Sequence, residues 1–89
     1  MLFINFGERE AAASARIVNE LRRKGIACEL YPDSAKIKKQ MGYADSLKIP
    51  FVAMIGESEL EENVVNIKNM QTGEQKRISP EDIPAVILS

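Results

Sequence analysis

Three short apolar runs alternate with two segments of helical periodicity along the first 55 residues. The runs "LFINF" (2–6), "IACELY" (26–31) and "FVAMI" (51–55) have the length and apolar content of strands. The third is apolar at every position, which is typical of a strand covered on both faces. This order of strand, helix, strand, helix, strand predicts parallel strands joined by right-handed crossovers.

The two helices are predicted over 8–24 and from an N-cap in the turn Pro32-Asp33-Ser34 to about Leu47. Acidic residues begin the first helix and basic residues end it, as the helix dipole favours, and Gly25 is a suitable stop. The residues expected on the buried faces are Ala11, Ser14, Ile17, Val18 and Leu21 in the first helix and Ile37, Met41, Ala44 and Leu47 in the second.

A β-hairpin is predicted around Thr72-Gly73, because glycine accepts the positive φ that tight turns need. A two-residue loop there sets Lys68 opposite Arg77, and a three-residue loop sets Lys68 opposite Lys76. Both registers place like charges directly across the strand pair, which is mildly destabilising. A cationic strand pair of this kind therefore needs a functional explanation.

The rest of the chain adds one element. The acidic run "GESELEEN" (56–63) predicts a solvated connector, and "SPEDIPAVILS" (79–89) predicts a short last helix with Ser79 as N-cap and Pro80 at its first position. No internal repeat, linker or low-complexity segment interrupts the sequence. We therefore expect one α/β domain over residues 1–89.

Composition excludes several classes of function. A formal net charge of -1 gives no global attraction to nucleic acid, so any polyanion site is a local patch. The longest apolar run is too short to span a bilayer, and the first ten residues lack the features of a secretory signal. One cysteine excludes an internal disulfide and fits a reducing cytoplasm, and the absence of histidine removes the commonest metal ligand and general base.

No catalytic or metal site is predicted. Cys28 lies on the apolar side of a strand without a basic partner, so we expect a buried structural thiol. The acidic run lacks the spacing of a calcium-binding loop. At the first strand-to-helix junction, Gly7-Glu8 has no glycine-rich fingerprint, and acids at the helix start repel phosphate.

The basic residues form two candidate sites. Lys36, Lys38 and Lys39 begin the second helix, where a solvated face and a functional surface are equally good interpretations. On the hairpin, cations, an amide and a flexible apolar side chain share one polar face; these residues are Lys68, Met70, Gln75 and Arg77. Exposed sheet faces with this mixture suit unpaired RNA bases, whose Watson–Crick edges are accessible.

Three segments carry a family resemblance: "RRKGIACELYP", "KIKKQMGYADSLKIPFVAMIGESEL" and "NIKNMQTGEQ". They resemble the C-terminal anticodon-binding domain of histidyl-tRNA synthetase over roughly residues 2–78. The synthetases for threonine, proline and glycine share the strand-helix pattern, but the "GEQ" sequence of the hairpin is similar to that of the histidine enzyme. One departure is Glu62-Asn63, where relatives commonly have a glycine.

The resemblance implies a three-layer α/β/α fold with a five-stranded mixed sheet and three helices, in agreement with the pattern above. It implies binding to the anticodon loop of the histidine-specific tRNA, without DNA or membrane partners. The implied contacts are Lys68, Met70, Glu74, Gln75 and Arg77, with Lys36 and Lys39 as further RNA contacts. In this interpretation a phosphate or an anionic base edge lies between Lys68 and Arg77. Glu74 and Gln75 read bases, since a carboxylate accepts from guanine N1 and N2.

The resemblance also implies a longer parent enzyme, a cytoplasmic homodimer that uses ATP and magnesium to attach histidine to its tRNA. This chain contains no class II ATP-binding motif and no histidine-recognition segment. We therefore expect a fragment that binds tRNA, has no cofactor and does not aminoacylate.

Two other classes remain open. A synthetase-derived dimerisation or regulatory module that no longer binds tRNA predicts an apolar hairpin face. A small stand-alone enzyme or signalling domain predicts carboxylates at the ends of the parallel strands, where the chain offers Glu8 and Glu57.

Overall fold

A computed structural model describes residues 1–88 as a sheet flanked by short helices. The elements follow one another in the order expected through the third strand. They are β1 (Leu2–Phe3), α1 (Glu8–Arg23), β2 (Glu29–Leu30), α2 (Ile37–Ser46), β3 (Phe51–Met54), α3 (Glu57–Glu62), β4 (Val65–Asn69), β5 (Gln75–Ile78), a 3-10 turn (Pro80–Asp82) and α4 (Ile83–Ile87).

The five strands form one mixed sheet in the order β2-β1-β3-β4-β5, which confirms the predicted architecture. β1 is parallel to both β2 and β3, while β4 is antiparallel to β3 and β5. The ladders of β1 are only two residues long, but further hydrogen bonds extend them. The N–H of Ile4 donates to the Ala53 carbonyl at 2.9 Å, and that of Tyr31 donates to the Phe3 carbonyl at 3.0 Å.

One face of the sheet, here called the α1 face, packs against α1 and α4. Alternate strand residues such as Phe3, Ala53 and Ile67 meet Val18 of α1 and Ile83 of α4 in one buried cluster. Leu60 of α3 packs against the same cluster. The helical periodicity therefore identified the buried side of α1, with Val18 and Leu21 enclosed as expected and Ala13 added.

The opposite face, here called the α2 face, packs against α2 through a smaller cluster. Leu2, Ile4 and Val52 meet Ala44 of α2, and helices therefore cover both faces of the sheet. The predicted burial of α2 was partly wrong: Ala44 is enclosed, but Ile37 is 46% exposed and Leu47 is 56% exposed. The enclosed position on α2 belongs instead to the polar side chain of Gln40, which no apolar periodicity predicts.

The predicted start of the second helix was also wrong. α2 begins at Ile37 with Lys36 at the N-cap, and no side chain among residues 1–88 caps it. The Lys36 carbonyl accepts hydrogen bonds from the N–H groups of Lys39 and Gln40, so the backbone fixes the first turn. The predicted cap in the 32–34 turn is therefore two to four residues too early. The stop at the end of α1 is as expected, with Gly25 at a φ of 82°.

The acidic run is a helix, not the predicted connector, so four helices and a 3-10 turn lie within residues 1–88 where three helices were expected. The carboxylate of Glu59 accepts the N–H of Gly56 at 2.8 Å, which satisfies a donor at the start of α3. Asn63 ends α3 with a φ of 56°. Asparagine tolerates this left-handed conformation, in which glycine is otherwise the usual residue.

The last predicted helix is split in two. Pro80 begins the 3-10 turn after Ser79, and α4 follows directly, with Ile83 fully buried against the α1 face. The end of that predicted segment, Ser89, lies outside the described residues. Within residues 1–88, no helix combines the length and apolar character that crossing a membrane requires.

Candidate nucleic-acid interface

The hairpin of β4 and β5 presents Lys68 and Gln75 side by side on the α2 face. Lys68 pairs with Val52 on one side and with Gln75 on the other. Because paired residues on neighbouring strands point to the same face, both polar side chains lie on the side where Val52 packs. Lys68 is half-buried and makes no ion pair within residues 1–88, while Gln75 is exposed.

Both predicted hairpin registers were wrong. Lys68 lies opposite Gln75, and Arg77 lies opposite Asn66, so no like charges face each other on this side. The tip is longer than predicted because Asn69 organises it. Its Oδ1 accepts hydrogen bonds from the backbone N–H groups of Gln71 and Thr72, at 2.9 and 3.2 Å. Gly73 has the positive φ expected of it, 78°.

The residues predicted to share the polar face nevertheless lie on one face of the hairpin. A slip of one residue exchanges the two faces of a strand, whereas a slip of two residues preserves them. The observed pairing differs from the two-residue-loop prediction by two positions, since Lys68 lies opposite Gln75 and not Arg77. The α2 face therefore carries Lys68, Gln75 and Arg77, although their cross-strand partners differ from the predicted ones.

Met70 is less available than predicted. Its side chain packs against the apolar cluster of the α2 face, and its N–H donates to the Pro50 carbonyl at 2.8 Å. Met70 is half-buried as a result. The sequence predicts that Met70 is a flexible apolar group for stacking on bases. In the structure, part of its side chain packs the hairpin tip against the sheet.

Arg77 is held by two carboxylates of α3. Its guanidinium lies 3.4 Å from Glu59 and forms a second, shorter ion pair with Glu62. The pKa of the Glu59 carboxyl is lowered, first by the hydrogen bond from the Gly56 N–H, then by the Ser58 hydroxyl, with a smaller contribution from Arg77. These ion pairs occupy the cation that was expected to share a phosphate with Lys68.

Gln75 also has a protein partner, though only for half of its amide. The side-chain N–H of Asn66 donates to the Gln75 Oε1 at 3.0 Å. The amide nitrogen of Gln75 is left to donate outward, because no hydrogen bond within residues 1–88 engages it. An acceptor on RNA, either a base carbonyl or a phosphate oxygen, is the matching group.

Glu74 does not lie beside Gln75. The N–H of Asn69 donates to the Glu74 carbonyl at 2.9 Å, which continues the ladder and places Glu74 on the α1 face. Its carboxylate lies 3.4 Å from the ammonium of Lys76. The two residues expected to read bases together therefore point to opposite sides of the hairpin.

Lys36 and Lys39 are exposed at the start of α2. Their turn is anchored by Gln40, whose Nε2 donates to the Ala35 carbonyl at 2.7 Å and to the Asn5 carbonyl at 2.9 Å. The amide of Gln40 thus holds the backbone next to Lys36, while both lysine side chains are exposed. No pattern of residue types indicates this contact, since polar side chains at helix positions usually face solvent.

The other sequence candidates have structural explanations. Cys28 is buried, its thiol donates to the Val18 carbonyl at 3.5 Å, and burial raises its pKa. A thiol with these properties is a poor nucleophile. Within residues 1–88, no three histidine, cysteine, aspartate or glutamate side chains are grouped as a metal site requires.

A cavity of about 690 Å³ lies away from the hairpin between α1, α3 and the 3-10 turn. Its lining mixes two arginines, Arg9 and Arg16, with three glutamates, Glu20, Glu59 and Glu81. None of the predicted RNA contacts lines it. Its mixed charges favour no single ligand class.

Comparisons of this chain with known proteins agree on one family. The family described as "Anticodon binding domain" matches residues 2–89. A histidine–tRNA ligase of Phocaeicola vulgatus is 48% identical over 87 residues, which are 98% of this chain and 19% of the relative. That of Bacteroides fragilis is 51% identical over 83 residues, 93% of this chain and 18% of the relative. The chain thus spans about a fifth of the length of these curated relatives.

Solved structures share the fold. The apo histidyl-tRNA synthetase of S. aureus is 35% identical with a TM-score of 0.84, and the match covers 99% of this chain and 23% of that one. The RNA binding domain of threonyl-tRNA synthetase from Cryptosporidium parvum Iowa II has a TM-score of 0.89 at 18% identity, covering 98% and 22%. At that identity the second likeness concerns the fold alone.

Proposed function

The chain belongs to the family of anticodon-binding domains, and we propose that it binds the anticodon loop of the histidine-specific tRNA as one domain of a longer histidine–tRNA ligase. The curated relatives named histidine–tRNA ligase support the amino-acid specificity, at 48 and 51% identity. Their greater length supports a parent with further domains. The chain matches only the anticodon-binding part of such ligases, so no catalytic step is assigned to it.

The neighbouring pair Lys68 and Gln75 carries the proposal. An ammonium without an ion pair in residues 1–88 lies beside an amide with an outward donor, on a sheet face that is partly exposed. The ammonium suits a phosphate, and the amide suits a base edge, a combination that unpaired RNA presents in a loop. Lys36 and Lys39 extend the basic surface along α2. Arg77 takes a supporting role, because α3 neutralises it.

ATP and magnesium belong, in this proposal, to the remainder of the parent enzyme, which we place in the cytoplasm as a homodimer. The residues described here do not offer a grouped set of metal ligands. The start of α1, the site where a phosphate loop would lie, carries Glu8 and Glu10, whose charges oppose phosphate. We therefore derive no step of this chain through either cofactor.

Titration with anticodon stem-loops tests the proposal. The histidine stem-loop, with anticodon GUG, is expected to bind more tightly than the threonine stem-loop in fluorescence anisotropy at one fixed salt concentration. Binding that is equal for the two, or absent for both, contradicts recognition of the histidine anticodon by this chain.

A synthetase-derived dimerisation or regulatory module is the second candidate, and one observation favours it. α2 exposes the apolar side chains of Ile37 and Leu47, which would suit a protein contact. Sedimentation equilibrium of the chain separates the two candidates. A stable dimer without stem-loop binding supports the module, and a monomer that binds the stem-loop supports anticodon recognition.

A further inference from the structure

The carboxylate of Glu62, the last residue of α3, contacts Arg77 of the hairpin. It forms an ion pair with the Arg77 guanidinium and accepts a hydrogen bond from its Nη2. The Glu62 side chain is 57% exposed. Within residues 1–88 this carboxylate has no other hydrogen bond or ion pair, so Arg77 is its one partner in the described part of the chain.

Glu59, the other carboxylate beside Arg77, has a structural role of its own. Its Oε1 accepts the Gly56 N–H at 2.8 Å, and its Oε2 accepts the Ser58 hydroxyl at 2.8 Å. Its side chain is only 18% exposed. Glu59 therefore stabilises the first turn of α3 independently of Arg77, whereas Glu62 acts on Arg77 alone.

The position of Glu62 is unfavourable for the helix itself. It lies at the C-terminal end of α3, where the last carbonyl groups of a helix repel a negative charge. The last turn of α3 contains no basic residue, and Glu57, Glu59 and Glu61 add like charges nearby. Helix stability therefore does not explain a carboxylate at this position, and the contact with Arg77 does.

The ion pairs compensate the charge of Arg77 but leave most of its donors available. Both carboxylates contact Nη2, and no hydrogen bond within residues 1–88 engages Nε or Nη1. The guanidinium can therefore still donate to a correctly placed acceptor. Its contribution to non-specific RNA binding is reduced, because that binding depends on cations that replace the counterions of the phosphates.

We propose that Glu62 is a specificity-determining residue, which pairs with Arg77 and thereby weakens the binding of RNA that offers phosphates without the matching loop. The inference rests on the proposed function and adds a means of rejecting other RNA. An unstructured strand binds through its phosphates, so it loses affinity when a cation is compensated. A loop that places an acceptor against the remaining donors of Arg77 loses less, since it keeps that hydrogen bond and its base contacts.

Glu62→Gln and Glu61→Gln form a matched pair for the test. Each removes one negative charge from the last turn of α3, but of the two side chains only Glu62 contacts Arg77 within residues 1–88. Each variant is titrated with the histidine stem-loop and with a short oligouridylate at several salt concentrations. Relative to Glu61→Gln, Glu62→Gln is expected to bind the oligouridylate roughly threefold more tightly, as loss of an exposed ion pair allows.

The salt dependence and the stem-loop give further readouts of the same pair. The slope of log affinity against log salt for the oligouridylate should be larger by ~0.7 in Glu62→Gln, because one more phosphate is neutralised. The affinity for the histidine stem-loop should rise by a smaller factor, so the preference for the stem-loop over the oligouridylate narrows.

Arg77→Gln gives a second measurement that isolates the contact. When Arg77 is already replaced, adding Glu62→Gln should leave the affinity for the oligouridylate unchanged, because the charge that Glu62 compensates is gone. A gain that persists in the double variant is a long-range effect of net charge and overturns the proposal. Thermal melting of each variant confirms that the chain is folded.

The outcomes separate this proposal from the proposed function. If the original chain prefers the histidine stem-loop and Glu62→Gln binds both RNAs as Glu61→Gln does, the role of Glu62 is wrong while the proposed function stands. Equal gains for the stem-loop and the oligouridylate also overturn the specificity role. If the original chain does not distinguish the histidine and threonine stem-loops, the proposed function fails and the specificity role fails with it. A larger gain for the oligouridylate in Glu62→Gln, absent in Glu61→Gln, supports the proposal.

Discussion

Gln40 of α2 hydrogen-bonds to the backbone of Asn5 as a neighbouring strand would. Its Oε1 accepts the Asn5 N–H at 2.8 Å, and its Nε2 donates to the Asn5 carbonyl at 2.9 Å. Gln40 is fully buried. One amide therefore satisfies both backbone groups of Asn5, just beyond β1, and joins α2 to the sheet.

Replacing this amide should cost stability. Gln40→Leu leaves the buried N–H and carbonyl of Asn5 without their partner, and each such group costs about 1–3 kcal/mol. We expect the free energy of unfolding to fall by about 3 kcal/mol in urea denaturation followed by circular dichroism. The control is Gln71→Leu in the exposed hairpin tip, which should change it by less than about 0.5 kcal/mol. Equal stability of the two variants would show that the contact is energetically unimportant.

Lys68 should contribute affinity without specificity. Lys68→Ala is expected to weaken the histidine and threonine stem-loops by the same factor, because phosphate contacts carry no sequence information. The slope of log affinity against log salt should decrease by ~0.7 for one phosphate contact on a single strand. Lys24→Ala, at the exposed end of α1, is the matched control and should leave the slope unchanged. An unchanged slope in Lys68→Ala would remove Lys68 from the interface.

Gln75 should contribute specificity. Gln75→Ala removes the amide donor, and the difference in binding free energy between the two stem-loops should narrow by roughly 1–3 kcal/mol if the amide contacts a base. Because Gln75 is exposed, the melting temperature should change little. Gln71→Ala, in the exposed tip of the same hairpin, serves as the control. Discrimination that survives Gln75→Ala would mean that the amide faces solvent in the complex.

Glu59 should make the fold sensitive to acid. Its folded-state pKa is lowered, chiefly by the Gly56 N–H, from an ordinary value of 4.5. A lowered pKa means that the ionised carboxylate stabilises the fold above 4.5, and this stabilisation is lost as pH falls through the folded-state pKa. Glu59→Gln should therefore show a smaller loss of stability between pH 7 and pH 3 in urea titrations, whereas Glu61→Gln should not. Identical pH dependence in Glu59→Gln and the original chain would contradict this role.

The sequence predicts the layout of this fold better than its details. Apolar runs and helical periodicity located β1, β3, α1 and the order of elements, because burial of apolar side chains dominates those segments. The acidic run was misread, since α3 combines a single apolar contact, from Leu60, with the contact from the Glu59 carboxylate to the Gly56 backbone. The burial of α2 was misread for a similar reason: Gln40 is enclosed by hydrogen bonds.

The candidate site shows the same division. Alternation along β4 and β5 correctly grouped Lys68, Gln75 and Arg77 on one face, because the side-chain period of a strand is two. The hairpin register depended on the side chain of Asn69. Whether Arg77 is available to a ligand depended on its ion pair with α3. Both are contacts of individual side chains, which a pattern of residue types does not specify.

Within residues 1–88, β5 pairs only with β4, so its outer edge is a row of backbone groups without a neighbouring strand. Such an edge is a template for pairing with another chain. Three of its four residues, Gln75, Lys76 and Arg77, are polar or charged and exposed. Charged side chains at a strand edge oppose edge-to-edge pairing of one molecule with the next. The residues assigned here to RNA also keep separate copies of the chain from joining into extended sheets, so exchanging them for β-branched apolar residues would be expected to promote aggregation.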